Sequence, residues 1–268
     1  MKFGLENIAT LCEALDHPER AFRSIVIAGT NGKGSVTVMV ETALRAAGQR
    51  TARYTSPHLV RLEERFVVFG EEVSTGDLRG AVARVHEAVE SLVRTGALAA
   101  PPTFFECATA AAFELFRRRG VDVAVLEVGL GGRLDATNVV MPIAAAITSI
   151  DFDHQAQLGD TIEAIAREKA GIIKPGIPVV CGPLPPDAER VVRETCGERG
   201  ARMVRAPEVV RMTERDDGAI DVATEQRLLD GVRLALSGRH QQENAAVAVA
   251  LLDELARAGI IVPDAAVR

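Results

Sequence analysis

Short apolar runs alternate along this chain with longer stretches in which apolar positions recur every three to four residues. The runs predict strands at Ser24–Ala28, Thr51–Thr55, Val121–Val128, Ile143–Ile150 and Pro178–Cys181. The periodic stretches predict helices at Leu5–Leu15, Gly34–Ala47, Asp77–Arg94, Thr103–Arg119, Thr161–Ile173, Asp187–Arg199 and Gln241–Ala258. The run VDVAVLEV is apolar almost throughout, as a strand buried on both faces requires. Strands separated by helices point to an α/β fold, a doubly wound and mostly parallel sheet. Residues 201–236 have another texture. Their short, partly alternating pieces GAIDVAT and GVRLAL predict a small β appendage rather than a further βα unit. After the last helix, GIIVPDAAVR reads as a linker that expects something beyond it.

The 268 residues suffice for one large domain with an appendage, and 47% hydrophobic content excludes a disordered chain. A net charge of −6 argues against a general nucleic-acid binder, so any cations that hold an anionic ligand must be local. Cys12, Cys107, Cys181 and Cys196 are scattered without metal-ligand spacing, and the apolar surroundings of Cys107 and Cys181 predict buried thiols. This usage fits a reducing cytoplasm. MKFGLENIAT has neither the basic nor the apolar region of a signal peptide, and no apolar run is long enough to span a bilayer.

The first strand breaks into Gly29-Thr-Asn-Gly-Lys-Gly-Ser35 before a helix. Glycines let backbone N–H groups curl around phosphate oxygens, and the helix N-terminus turns its positive end to the same anion. Asn31, Gly32, Lys33, Gly34 and Ser35 therefore predict an ATP phosphate site. Lys33 would reach the β- and γ-phosphates, and the Ser35 hydroxyl would sit on Mg2+. The competing reading is a glycine-rich turn with a solvated lysine. The pattern is imperfect, since Gly34 intervenes between Lys33 and Ser35.

In an open α/β sheet, ligands collect beyond the carboxyl ends of the strands. Polar residues cluster at these ends: the phosphate loop, then Tyr54-Thr-Ser56-Pro-His58, then Glu127 to Asn138, then Ser149 to His154. Glu127 closes a largely apolar strand, where an unpaired carboxylate is costly. Magnesium or Lys33 would stabilise it; a structural ion pair with Arg133 or another base is the alternative. Ser56 and Glu127 supply oxygen donors of the kind magnesium takes. His154, an imidazole, reads on its own as a loop histidine.

GTNGKGSV, TSPHLVRLEERF, TFFECATAAAFELF, LEVGLGGRLDATNVV, DFDHQAQLG and REKAGIIKPG occur in this order. Together they resemble the folylpolyglutamate synthase and dihydrofolate synthase family, within the Mur ligase group, from about Leu5 to the end of the chain. GTNGK is shared with peptidoglycan Mur ligases, whereas TSPHL with LGGRLDATN is specific to the folate branch.

The resemblance implies a catalytic set of Lys33, Glu127, His154 and Lys169. It implies magnesium ligands Ser35, Ser56, Glu127 and His154, with Lys169 joining them if carbamylated. Without it, Lys169 reads as a surface lysine paired along its helix. By the same resemblance Thr103, Phe104, Phe105 and Glu106, with Leu134, Asp135 and Ala136, line the pterin or folate pocket. His240 and Asn244 fall near the adenine; the plain reading is a polar first turn on a buried helix. The implied reaction phosphorylates the carboxylate of dihydropteroate or a reduced folate with ATP, and L-glutamate then displaces phosphate from the acyl phosphate. Family members continue into a C-terminal domain, which this sequence is expected to lack, making 1–268 a Mur-type ATP-binding central domain. The alternatives are an Mg-ATP-binding module without turnover and a peptidoglycan-type Mur ligase. The expected partners are small molecules alone, without nucleic acid or membrane, bound by a monomer.

Overall fold

The computed structural model of the chain describes residues 4–98 and 100–268. Its first half comprises α1 (Glu6–Ala14), β1 (Arg23–Ala28), α2 (Lys33–Ala46), β2 (Thr51–Tyr54), β3 (Phe66–Val68), β4 (Glu71–Glu72), α3 (Thr75–Arg94), α4 (Phe104–Arg118) and β5 (Val123–Glu127). There follow β6 (Ala144–Ile147), α5 (Gln155–Leu158), α6 (Ile162–Ala170), β7 (Val179–Cys181), α7 (Pro186–Glu198), β8 (Met203–Arg205) and α8 (Ala206–Val209). The chain closes with β9 (Arg211–Glu214), β10 (Ile220–Ala223), β11 (Leu228–Val232), α9 (Arg239–Arg257) and α10 (Asp264–Val267).

Eight strands form one sheet in the order β4-β3-β2-β5-β1-β6-β7-β8, with β2, β5, β1, β6, β7 and β8 parallel and β3 antiparallel to both neighbours. From β1 the chain runs to β2, returns to fill the gap with β5, and then crosses to β6 on the other side of β1. That reversal opens a crevice beyond the carboxyl ends of β5, β1 and β6. The loops expected to share one crevice therefore follow four adjacent strands.

Strand period dictates the layers. Val26 and Ala28 of β1, Ala124 and Leu126 of β5, and Ala145 and Ile147 of β6 face a core completed by α1, α3, α4, α6 and α7. The alternate residues, Ile25, Ile27, Val123, Val125, Ala144 and Ala146, face α2, α9 and the small sheet β11-β10-β9. Each fully buried Val, Ile or Leu contributes about 1.5–3 kcal/mol, so a one-residue register slip at β1 would exchange the two cores at great cost.

Three details depart from the sequence reading. Met203–Arg205 is not part of the appendage; it pairs with β7 as the edge of the main sheet, opposite Val179–Cys181. The hairpin of β3 and β4 has strands of three and two residues, too short for a period to register. Cys107 is half-buried, one turn into α4, whereas Cys181 is fully buried in β7. Among the described residues, no helix is long and apolar enough to cross a membrane.

Candidate active site

The strand β1 ends and α2 begins across a loop that only glycine permits at two points. A Cβ on Gly29 would meet the Thr148 hydroxyl at 1.9 Å. Gly32 has φ +83°, and its Cβ would lie 2.1 Å from Asn244 Oδ1. The loop is also tied to the end of β6. Thr30 N–H donates to the Ser149 carbonyl (2.9 Å), Asn31 N–H donates to Ser149 Oγ (3.0 Å), and Asp151 N–H donates to the Thr30 hydroxyl (3.1 Å). Thr148 and Ser149 hydroxyls return hydrogen bonds to the Asn31 carbonyl. The sequence reading missed this buckle; its only trace was the Thr-Ser pair after β6.

Lys33, the first residue of α2, folds back and donates from Nζ to the carbonyls of Gly29 and Thr30, each at 3.0 Å. Lys169, in the last turn of α6, donates from Nζ to the same Gly29 carbonyl at 2.9 Å. It is 3% exposed and has no carboxylate partner among the described residues, which overturns the surface-lysine alternative. Burial and the nearby Lys33 charge push its pKa down to about 8, against an opposing pull from Asp153. Two ammonium groups thus share one acceptor under the glycine loop.

Glu127 faces them from the end of β5. Its Oε2 accepts from Ser56 N–H at 3.1 Å, and a Cβ on Gly34 would lie 3.8 Å from both carboxylate oxygens. Burial raises its pKa, opposed by the Ser56 hydrogen bond and the Lys33 charge. The alternative pairing with Arg133 does not occur, because Arg133 takes Glu168 at 2.8 Å. Glu127 keeps Oε1 unbonded among the described residues; Ser56, whose N–H it takes, and Ser35, which follows Gly34 in sequence, are both half-buried. Carboxylate, hydroxyl and phosphate oxygens are the donor set magnesium prefers, so these residues fit that ion. His154 is exposed, in a left-handed conformation (φ 49°), 3.5 Å from Asp153. No group of three or more His, Cys, Asp or Glu side chains with metal-ligating geometry occurs among the described residues. His154 therefore meets Asp153 but does not join Glu127 in such a group.

Residues of the expected pterin wall divide by role. Thr103 caps α4: its hydroxyl accepts from Glu106 N–H (3.2 Å) while Glu106 Oε2 accepts from Thr103 N–H (2.6 Å). Asp135 is buried, and its carboxylate accepts from the N–H groups of Gly129, Leu130 and Thr137 at 3.0 Å and from the Thr137 hydroxyl at 2.6 Å. Asp135 therefore shapes the loop after β5 from within, between a half-buried Leu134 and a buried Ala136. Phe105 packs 6.0 Å from the Tyr54 ring, while Phe104 is 60% exposed at the surface of the same wall. On the opposite side, buried Asn244 donates to Gln241 Oε1 at 3.2 Å and lies against Gly32; His240 is exposed at the start of α9.

A glycine loop at the switch point of a parallel sheet, with lysines below it and a carboxylate across from it, is the architecture of a Mur-type middle domain. The sequence matches the Mur ligase middle domain over residues 27–252, and the chain belongs to that family. Within the family it falls in the branch of folylpolyglutamate and dihydrofolate synthases. It is 36% identical to the dihydrofolate synthase/folylpolyglutamate synthase of Bacillus subtilis, over the whole chain and 63% of that protein. It is 42% identical to the folylpolyglutamate synthase of Lacticaseibacillus casei, over 91% of this chain and 58% of that one. A solved FPGS–AMPPCP–folate complex superposes with a TM-score of 0.91 at 37% identity, covering 97% of this chain and 65% of the other. The chain thus spans about three fifths of the length of these relatives.

Proposed function

We propose that this chain carries the nucleotide- and acceptor-binding part of an ATP-dependent amide ligase that joins L-glutamate to dihydropteroate or a reduced folate. The observation that carries the reading is the convergence of Lys33 and Lys169 on the Gly29 carbonyl, opposite Glu127. Two cations on one neutral acceptor repel each other, and a bound phosphate relieves both. The ATP-analogue and folate complex of a relative at 37% identity supports the choice of ligands.

In this reading the acceptor carboxylate attacks the γ-phosphate of ATP, forming a P–O bond and releasing ADP. The amine of L-glutamate then attacks the acyl carbon, and inorganic phosphate leaves. Oxide cannot leave a carboxylate; phosphate can. Lys33 stabilises charge building on the phosphoryl oxygens, and the loop N–H groups hold the phosphates in place. Ser35, Ser56 and Glu127 would hold magnesium, whose charge offsets that of the phosphates when it is bound. Were neutral Lys169 Nζ to add to carbon dioxide and release a proton, the resulting carbamate would replace the second cation with an anion and leave Lys33 alone to meet the phosphates. Asn244 borders the loop on the side assigned to the nucleotide.

The test is phosphate release from ATP by this chain with magnesium and L-glutamate, with either pterin acceptor present or omitted. Release that needs both acceptor and glutamate is expected. Mg-ATP binding with no acceptor-dependent release would favour the module without turnover instead.

A further inference from the structure

Burying a charge without a counter-charge is costly, and this fold pairs most of its buried charges. Glu41 takes Arg45 and Arg53, Glu114 takes Arg117 and Arg118, and Arg227 takes Asp253. Two buried cations have no acidic partner among the described residues. One is Lys169, under the phosphate loop. The other is Arg65, 8% exposed.

Arg65 ends a short 3-10 turn (Leu62–Arg65) that leads into β3. Its carbonyl accepts from Thr55 N–H at 3.1 Å, which sets it across from the residue preceding Ser56. Ser56 in turn donates its N–H to Glu127. The guanidinium is held in a fixed plane. Its Nε donates to His58 Nδ1 at 2.8 Å, and its Cζ lies 5.5 Å from the centroid of the Phe104 ring. Tyr54, with Phe105 packed on it, completes this wall below. Among the described residues, the groups shown against the guanidinium are an imidazole and an aromatic ring and none is a carboxylate, so its charge is oriented but not paired. An arginine fork in that state matches a planar carboxylate.

We propose that Arg65 binds the carboxylate of the acceptor substrate and holds it beside Ser56 and Glu127, where it is phosphorylated. The inference rests on the acceptor reading given above. It resolves a problem that reading creates: a carboxylate must approach a triphosphate, and the two repel. Arg65 attracts the carboxylate from one side of the crevice while Lys33 serves the phosphates from the other. The exposed Phe104 ring beside a buried cation suits an acceptor whose carboxylate is attached to a flat aromatic group.

The experiment titrates the whole chain, loaded with Mg-AMPPCP, with dihydropteroate and with the same pterin lacking its carboxylate, following pterin fluorescence. Arg65→Met should weaken dihydropteroate binding about 10- to 100-fold and leave the decarboxylated ligand within about twofold. Arg65→Lys, which keeps the charge without the fork, should fall between. Thermal unfolding checks that the variants are folded, and Arg65→Lys carries the test if Arg65→Met is not. Equal weakening of both ligands, or of neither, overturns the proposal and leaves the acceptor reading intact. So does wild-type protein that binds both ligands equally. Wild-type protein that binds neither pterin overturns the acceptor reading, and this inference with it.

Discussion

Gly32→Ala is a sharp test of the loop, because two separate penalties fall on one methyl group. The first is conformational: an L-residue at φ +83° costs about 1–2 kcal/mol. The second is steric: the new Cβ would stand 2.1 Å from Asn244 Oδ1. Asn244 is buried and held by Gln241 at 3.2 Å, so moving it breaks that hydrogen bond, worth about 1 kcal/mol. Together the variant should lose about 2–3 kcal/mol, or roughly 4–12 °C of melting temperature for a domain of this size. Asn244→Ala removes the obstacle but leaves the dihedral unchanged. In the double variant the steric share should therefore disappear, giving about 1 kcal/mol of favourable coupling in a double-mutant cycle. Thermal unfolding of the four proteins reads this directly, and Mg-ATP titration should show the Gly32→Ala loop weakened even where the fold holds. Wild-type stability in Gly32→Ala, or strictly additive losses in the cycle, would refute the packing of α9 against the glycine loop.

Glu127→Gln should leave the melting temperature within a few degrees and abolish magnesium-dependent turnover, since a neutral amide cannot replace the carboxylate; normal turnover would make Glu127 structural. Lys169, with its pKa pushed down to about 8, is about one-tenth neutral at pH 7. Only the neutral amine adds to carbon dioxide. At fixed dissolved 13C-labelled carbon dioxide the NMR carbamate signal should therefore grow as pH rises from 7 through 8, and should be missing in Lys169→Met. Asp135→Asn should cost about 2–4 kcal/mol by thermal unfolding, because its amide nitrogen would face N–H donors that now meet a carboxylate oxygen.

The parts of this fold legible in the sequence were those with long or distinctive patterns. The apolar strands β1 and β5 announced a buried parallel sheet, and Glu127 stood out because a carboxylate ends one of them. Lys169 gained its place from resemblance alone, since nothing in its helical period separates it from a solvent lysine. What stayed hidden depends on contacts between distant segments. Thr148 and Ser149 lock a loop more than a hundred residues earlier, which no local pattern records. Thr103, Glu106 and Asp135 read as pocket residues, yet their polar atoms are engaged by nearby backbone groups, because a tight turn or helix start uses the same residue types as a binding site. Arg65 was passed over inside an exposed-looking charged run, LEER, and only its burial sets it apart.

The crevice beyond β1 is expected to hold Mg-ATP through the glycine loop and Lys33. Calorimetric titration of Mg-ATP into the wild-type chain and into Lys33→Ala measures it most directly. Saturable binding at one site is expected in the wild type, with at least about a 100-fold loss in the variant, the scale of a lost charge-assisted contact to phosphate. Equal affinity in the two proteins would contradict it.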